Sequence, residues 1–225
     1  MEPVESTGLP REPSATFVFD IETDRLLNAT RDNWGELHMT VAVGIDGAGA
    51  RHDFVLLPGQ APSERQEVLR ALCVRLDEAR VIVAYNGRGF DFRVLLRYYG
   101  SARVAGWLDR LCDPFEVVRE TTGSWVKLDE LLAANGLPQK SADGVRAVEW
   151  WEAGEHGRVL EYCHEDTRGL YNLVTRHATL RFPLKRRTGD VGKQSVVGMR
   201  RLDWARFLDR RGLSWLCAEP PSNRM

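Results

Sequence analysis

At 225 residues, with 43% hydrophobic and 28% charged side chains, the chain has the composition of an ordinary globular protein and enough length to bury a core without disulfide or metal staples. No run of about 18 apolar residues exists to cross a membrane. The four cysteines, Cys73, Cys112, Cys163 and Cys217, form no C-x-x-C pair, which argues against a zinc site and a disulfide framework alike.

The net charge of -1 conceals an asymmetry: residues 175–225 carry 12 Arg/Lys against 4 Asp/Glu, whereas the residues before them carry 19 against 28. An acidic body suits a cation site. A basic tail containing Lys185-Arg186-Arg187 and Arg200-Arg201 suits either a polyanion or a solvated face. Residues 1–14 read as a flexible polar leader. The first 13 have neither the basic start nor the apolar core of a signal peptide, which places the chain in the cytoplasm.

The first predicted element is Phe17-Val18-Phe19-Asp20-Ile21-Glu22-Thr23, whose Val, Phe and Ile favour a strand. Successive strand side chains point to opposite faces, so Asp20 and Glu22 share one. Two like charges side by side on a buried strand cost free energy through desolvation and repulsion unless a cation lies between them; on an exposed edge the same pair would simply be solvated. A loop follows, then strands at 39–45 and 52–57 about the Asp46-Gly47-Ala48-Gly49 turn, which together read as an antiparallel meander. Residues 62–79 predict a helix with Val68, Leu69, Leu72, Val74 and Leu76 on its packing face. Val81-Ile82-Val83-Ala84-Tyr85 is an unbroken apolar run, the mark of a strand covered on both faces. Asn86-Gly87-Arg88-Gly89 then turns the chain into a helix at 90–99 that Gly100 should end. Asp91 stands at its mouth, where α/β sheets place ligands and where a helix dipole favours any carboxylate.

Further along, 111–118 predicts a short strand with an irregular continuation, broken by Asp113-Pro114, 128–134 a short helix closed by Asn135-Gly136, and 138–144 a loop. A helix at 147–152 carries Trp150-Trp151, a pair that offers either packing or a platform for stacked bases. A long helix at 157–180 has Leu160, Leu170, Leu173 and Val174 as core positions. On it Tyr162 and Asp166 stand four apart and share a face, whereas His164 and Glu165 turn elsewhere and read as structural or solvated. A basic hairpin over 184–197 and an amphipathic helix over 199–211 complete the pattern. Three strands, helix, strand, helix and further helices predict an α/β sandwich with a mixed sheet.

Taken together, Phe19-Asp20-Ile21-Glu22-Thr23, Asn86-Gly87-Arg88-Gly89-Phe90-Asp91 and Tyr162-Cys163-His164-Glu165-Asp166 resemble, in order, the three motifs of the DEDD or DnaQ-like 3′–5′ exonuclease superfamily in its DEDDy variety. Within it, Lys127-Leu128-Asp129-Glu130-Leu131-Leu132 and Ala147-Val148-Glu149-Trp150-Trp151 look like the bacterial YprB-like group. The resemblance covers roughly 15–180 and implies an RNase H-like mixed β-sheet flanked by helices on both faces. Residues 181–225 are left as a basic extension, packed on the domain or used for nucleic-acid or partner binding.

The implied activity is hydrolysis of phosphodiester bonds at the 3′ end of single-stranded DNA or RNA, DNA ahead of RNA, with release of nucleoside monophosphates. The implied cofactor is a pair of Mg²⁺ or Mn²⁺ ions about 4 Å apart, hard cations for hard carboxylate oxygens. By analogy Asp20 would bridge both ions, Glu22 and Asp166 would hold the one on the nucleophile's side, and Asp91 would act mostly through water on the other. Tyr162 would hydrogen-bond the attacking water; a phenol with a reference pKa of about 10 suits orienting better than abstracting a proton. In the related DEDDh variety a histidine five residues before the motif's aspartate serves as base, and here that position is Glu161. Thr23 would sit beside the terminal nucleotide, with Asn86 and Phe90 near the scissile end. Two other readings stay open. One is a nucleic-acid-binding or targeting module of a larger complex with weak or no cleavage, meeting its protein partner through the basic tail with Trp204, Phe207, Trp215 and Leu216. The other is an RNase H-like endonuclease.

Overall fold

The architecture is that of a computed structural model, and the structure describes residues 9, 12–30, 33–139, 144–177, 179–185 and 197–203. Strands β1 (Thr16–Thr23), β2 (Met39–Asp46), β3 (Arg51–Val55), β4 (Val81–Val83) and β5 (Leu111–Cys112) form one sheet in the order β3-β2-β1-β4-β5. The meander β1-β2-β3 is antiparallel, while β4 joins β1, and β5 joins β4, in parallel. Helices α1 (Pro62–Glu78) and α2 (Asp91–Leu108) cover one face. Helices α3 (Pro114–Thr122), α4 (Leu128–Ala134), α5 (Gly144–Glu152) and α6 (His156–Arg176) cover the other. This is the expected mixed sheet with helices on both faces.

The alternation along β1 sets the layers. Phe17, Phe19 and Ile21 join Leu72, Leu76, Phe92 and Trp107 in the core under α1 and α2. Val18 packs instead with Val83, Val117, Leu131 and Leu173 under the other helices. Asp20 and Glu22 follow Val18 in the same register, which puts them on the α6 side.

Several elements differ from their predicted form. Residues 62–78 bury Leu72, Cys73 and Leu76, but Val74 is 46% exposed and lies off the packing face. The stop predicted at Gly100 is a kink: Gly100 takes φ 75° and ψ 163°, and the helix resumes because Val104 and Trp107 dock in the core. The predicted short strand is Leu111–Cys112, and the continuation expected to be irregular is helix α3. The Asp113 carboxylate caps the Phe115 amide and Pro114 takes the first turn of α3, so the supposed break is a helix start. Helix α6 ends at Arg176, and β6 (Thr179–Lys185) pairs antiparallel with β7 (Val197–Asp203). The paired strands therefore begin earlier than the predicted hairpin, residues 186–196 lie outside the described residues, and Leu180 and Phe182 enter the core. The helix predicted over 199–211 is a strand as far as Asp203; positions 204–211 lie outside the described residues.

Candidate active site

The site forms where β1 outruns its parallel neighbour. β4 pairs with β1 only at Thr16, Phe17 and Val18, so beyond Val18 that edge of β1 is free of β4. The Ile21 amide on this stretch donates to the Asp91 carboxylate instead, which ties the first turn of α2 to β1. From the α6 side, the buried Cys163 thiol donates to the Asp20 carbonyl oxygen at 3.4 Å. The fully buried Thr167 hydroxyl reaches the Cys163 carbonyl at 2.8 Å and the Val43 carbonyl at 3.3 Å. These contacts fix the rotation of α6, so Tyr162 and Asp166, one turn apart, are delivered to the acid pair.

Asp20, Glu22 and Asp166 each offer a carboxylate oxygen, and these oxygens lie within 4.8 Å of one another. Asp91 is only 2% exposed, and its Oδ1 is buried with no hydrogen-bond partner. Burial, followed by the charge of Asp20, pushes the Asp91 carboxyl well above the ordinary carboxylate range. Tyr162 is buried with its hydroxyl hydrogen-bonded to Asp166. Burial first, and then the charges of Asp166, Glu22 and Asp20, raise its pKa, so the phenol keeps its proton at neutral pH. All five residues line one cleft of about 460 Å³, and Thr23, Asn86 and Phe90 line it too. His164 and Glu165 do not; His164 instead lies 3.0 Å from the Arg51 guanidinium on β3. Trp151 packs in the core, and Trp150 is covered by Tyr162 edge-on and by the guanidinium groups of Arg146 and Arg158, 5.6 and 4.7 Å from its ring centroid.

The second motif depends on a residue that its sequence context disguised. Asn86 sits in the left-handed region at φ 59°, and a Cβ on Gly89 would land 2.3 Å from the Asn86 Oδ1, so any side chain there would have to displace the Asn86 amide. Asp113 holds this turn from the end of β5, accepting the Asn86 amide at 2.9 Å while it caps Phe115 at 3.0 Å. Burial pushes the Asp113 carboxyl up to about 7. Its Asp-Pro context signalled a break rather than a latch. The exposed Trp125 and Lys127, also cleft residues, gave no periodic signal because they lie in the connection between α3 and α4 and at its end.

The donor set suits a hard divalent cation such as Mg²⁺ or Mn²⁺. Three carboxylate oxygens converge within 4.8 Å, and a fourth carboxylate keeps a buried oxygen without a donor, an arrangement that charge repulsion disfavours unless positive charge enters.

A family model described as the RNase H superfamily matches residues 17–178. The chain belongs to the RNase H superfamily. Its fold is similar to that of the family B DNA polymerase from the hyperthermophilic archaeon Pyrobaculum calidifontis, with a TM-score of 0.52 at 18% identity over 70% of this chain and 24% of that one. The likeness is one of fold, and the RNase H superfamily chain matches about a quarter of the polymerase's length. No curated protein matches the sequence. Among the described residues no helix is long and apolar enough to cross a membrane. In this RNase H superfamily member the central strand β1 thus carries Asp20 and Glu22, α2 and α6 bring Asp91 and Asp166, and Asp129 on α4 also lines the cleft.

Proposed function

We propose that this RNase H superfamily member is a two-metal-ion 3′–5′ exonuclease of the DEDDy type, YprB-like in its look, that shortens single-stranded DNA or RNA from the 3′ end and releases nucleoside monophosphates. The observation that supports this most is the convergence of Asp20, Glu22 and Asp166 within 4.8 Å, on a cleft shared with Asp91 and Tyr162. Asp20, Glu22, Asp91 and Asp166 would hold two Mg²⁺ or Mn²⁺ ions, which when bound supply an activated water and neutralise charge on the leaving oxygen.

The chain's own residues do the positioning. Tyr162, protonated and bonded to Asp166, orients the attacking water and does not act as base. The Cys163 and Thr167 contacts hold α6 against β1 and β2, so the Asp166 and Tyr162 side chains enter the cleft with little freedom. Thr23, Asn86 and Phe90 meet the terminal nucleotides; the edge-to-face contact of Phe90 with Trp34, 5.9 Å between centroids, steadies that ring. Residues 181–225 form the basic extension that meets nucleic acid or a protein partner.

A panel of single-stranded, duplex and overhanging DNA and RNA, incubated with and without Mn²⁺, tests the reading. Metal-dependent shortening of single strands is expected. Inertness toward every strand would remove the nuclease reading, and discrete internal cuts would replace it with an endonuclease.

A further inference from the structure

Trp125 is 65% exposed, yet it stands on the wall of the cleft that holds the acids. Single exposed apolar side chains are common, but this one is placed and steadied. The next residue, Val126, is buried, and its carbonyl accepts the Tyr85 hydroxyl, so the stretch between α3 and α4 is anchored at that point. Trp125 and Lys127 flank the anchor and both stay exposed. Phe115 meets the indole edge-to-face, 4.9 Å between centroids at 70°, and Phe115 in turn meets Tyr85 at 5.7 Å. Three rings therefore run from the end of β4 to the cleft's lip, and the outermost keeps most of its surface open.

Charge along this wall points to a polyanion. The Arg119 guanidinium lies 5.9 Å over the Trp125 ring, and the exposed Lys127 lines the cleft beside Asp129, as does Arg25, which pairs with Asp24 at 3.0 Å. Trp150, the indole that the sequence makes the obvious platform, is already covered by two guanidinium groups.

We infer that the Trp125 indole is a stacking subsite for a nucleobase of the single strand, with the Lys127 ammonium meeting a phosphate of the same strand, an assignment that rests on the nuclease reading of the cleft. Bases stack on aromatic rings whatever their identity, so the subsite grips the strand without selecting sequence. The contact with Phe115 holds the indole in place before the strand arrives, which limits the ordering cost of binding.

The test uses the full chain and 5′-fluorescein single strands, either intact or carrying one abasic site stepped back from the 3′ end. Binding is read by anisotropy in Ca²⁺, and hydrolysis is read separately in Mn²⁺. One abasic position should weaken wild-type binding by about 5- to 150-fold, the equivalent of one stacked base at ~1–3 kcal/mol. Trp125→Ala should weaken binding of the intact strand by a similar factor and show no further loss at that position. The loss should fall on KM rather than kcat, and Trp125→Phe should restore most of it. A Trp125→Ala protein that binds the intact strand as wild type does, or that keeps the abasic penalty at every position, overturns the subsite. If wild type still hydrolyses the strand in that case, the nuclease reading survives alone. If wild type neither binds nor hydrolyses any strand, both fall.

Discussion

Replacing Asp113 by Asn separates the charge of a buried carboxyl from the hydrogen bonds it makes. Asp113 is 1% exposed, its Oδ1 accepts the Asn86 and Phe115 amides, and its Oδ2 is buried without a partner. Burial raises its pKa from 3.8 to about 7. The native protein thus keeps a proton that the unfolded chain has lost between these values, so stability falls as pH rises through the window and levels off above it. Between pH 5 and pH 8 this linkage amounts to about 2–3 kcal/mol for a carboxyl titrating near 7. Asn keeps the acceptor oxygen, caps a helix about as well as Asp and has nothing to titrate. Asp113→Asn should therefore gain about 2–3 kcal/mol on wild type between pH 5 and pH 8. Urea unfolding of both proteins in EDTA at the two pH values reads the difference; the Asp113 charge also raises the Asp91 carboxyl, so its removal adds to the variant's gain at pH 8. A stability difference that stays constant from pH 5 to pH 8 would refute the reasoning.

Other consequences follow from the same geometry. Tyr162→Phe should lower kcat by about 10²-fold through a poorly oriented water while leaving metal-induced stabilisation intact; an unchanged rate would remove the hydroxyl from the mechanism. Mn²⁺ at about 100 times its Kd should stabilise the fold by about 2.7 kcal/mol in thermal unfolding, and Asp166→Asn should lose most of that gain. Gly44→Ala should destabilise by about 1–3 kcal/mol or more, since its Cβ would lie 1.9 Å from the Phe17 ring. Chemical denaturation measures that cost, and a neutral result would mean that β2 can shift away from Phe17.

The elements that obeyed a local rule were readable in the chain. The alternation of β1 separated Phe17, Phe19 and Ile21 from Val18, Asp20 and Glu22, and four-residue spacing put Tyr162 beside Asp166; both placements hold in the structure. The apolar run at Val81 marked a strand buried on both faces, as it is. Where two rules share one signature, the pattern failed. Asp-Pro marks a helix start as well as a strand break, and Asp113-Pro114 is the former. A left-handed glycine can end a helix or kink it, and burial of Val104 and Trp107 decided for the kink at Gly100. The end of α6 and the path of 199–203 were set by pairing of β6 with β7, a non-local partner invisible to helical periodicity. In the same way Cys163, Thr167, Asp113 and Trp125 gained their places only from what folds against them.

On the proposed reading, the four carboxylates and Tyr162 form one hydrolytic centre for 3′ ends. A time course on a 5′-labelled single strand, run in parallel with wild type and Asp20→Ala in Mn²⁺, tests it most directly. Wild type should give a ladder of products shortened one nucleotide at a time, and an Asp20→Ala protein that is still folded should give no shortening. Shortening by Asp20→Ala at the wild-type rate would contradict it.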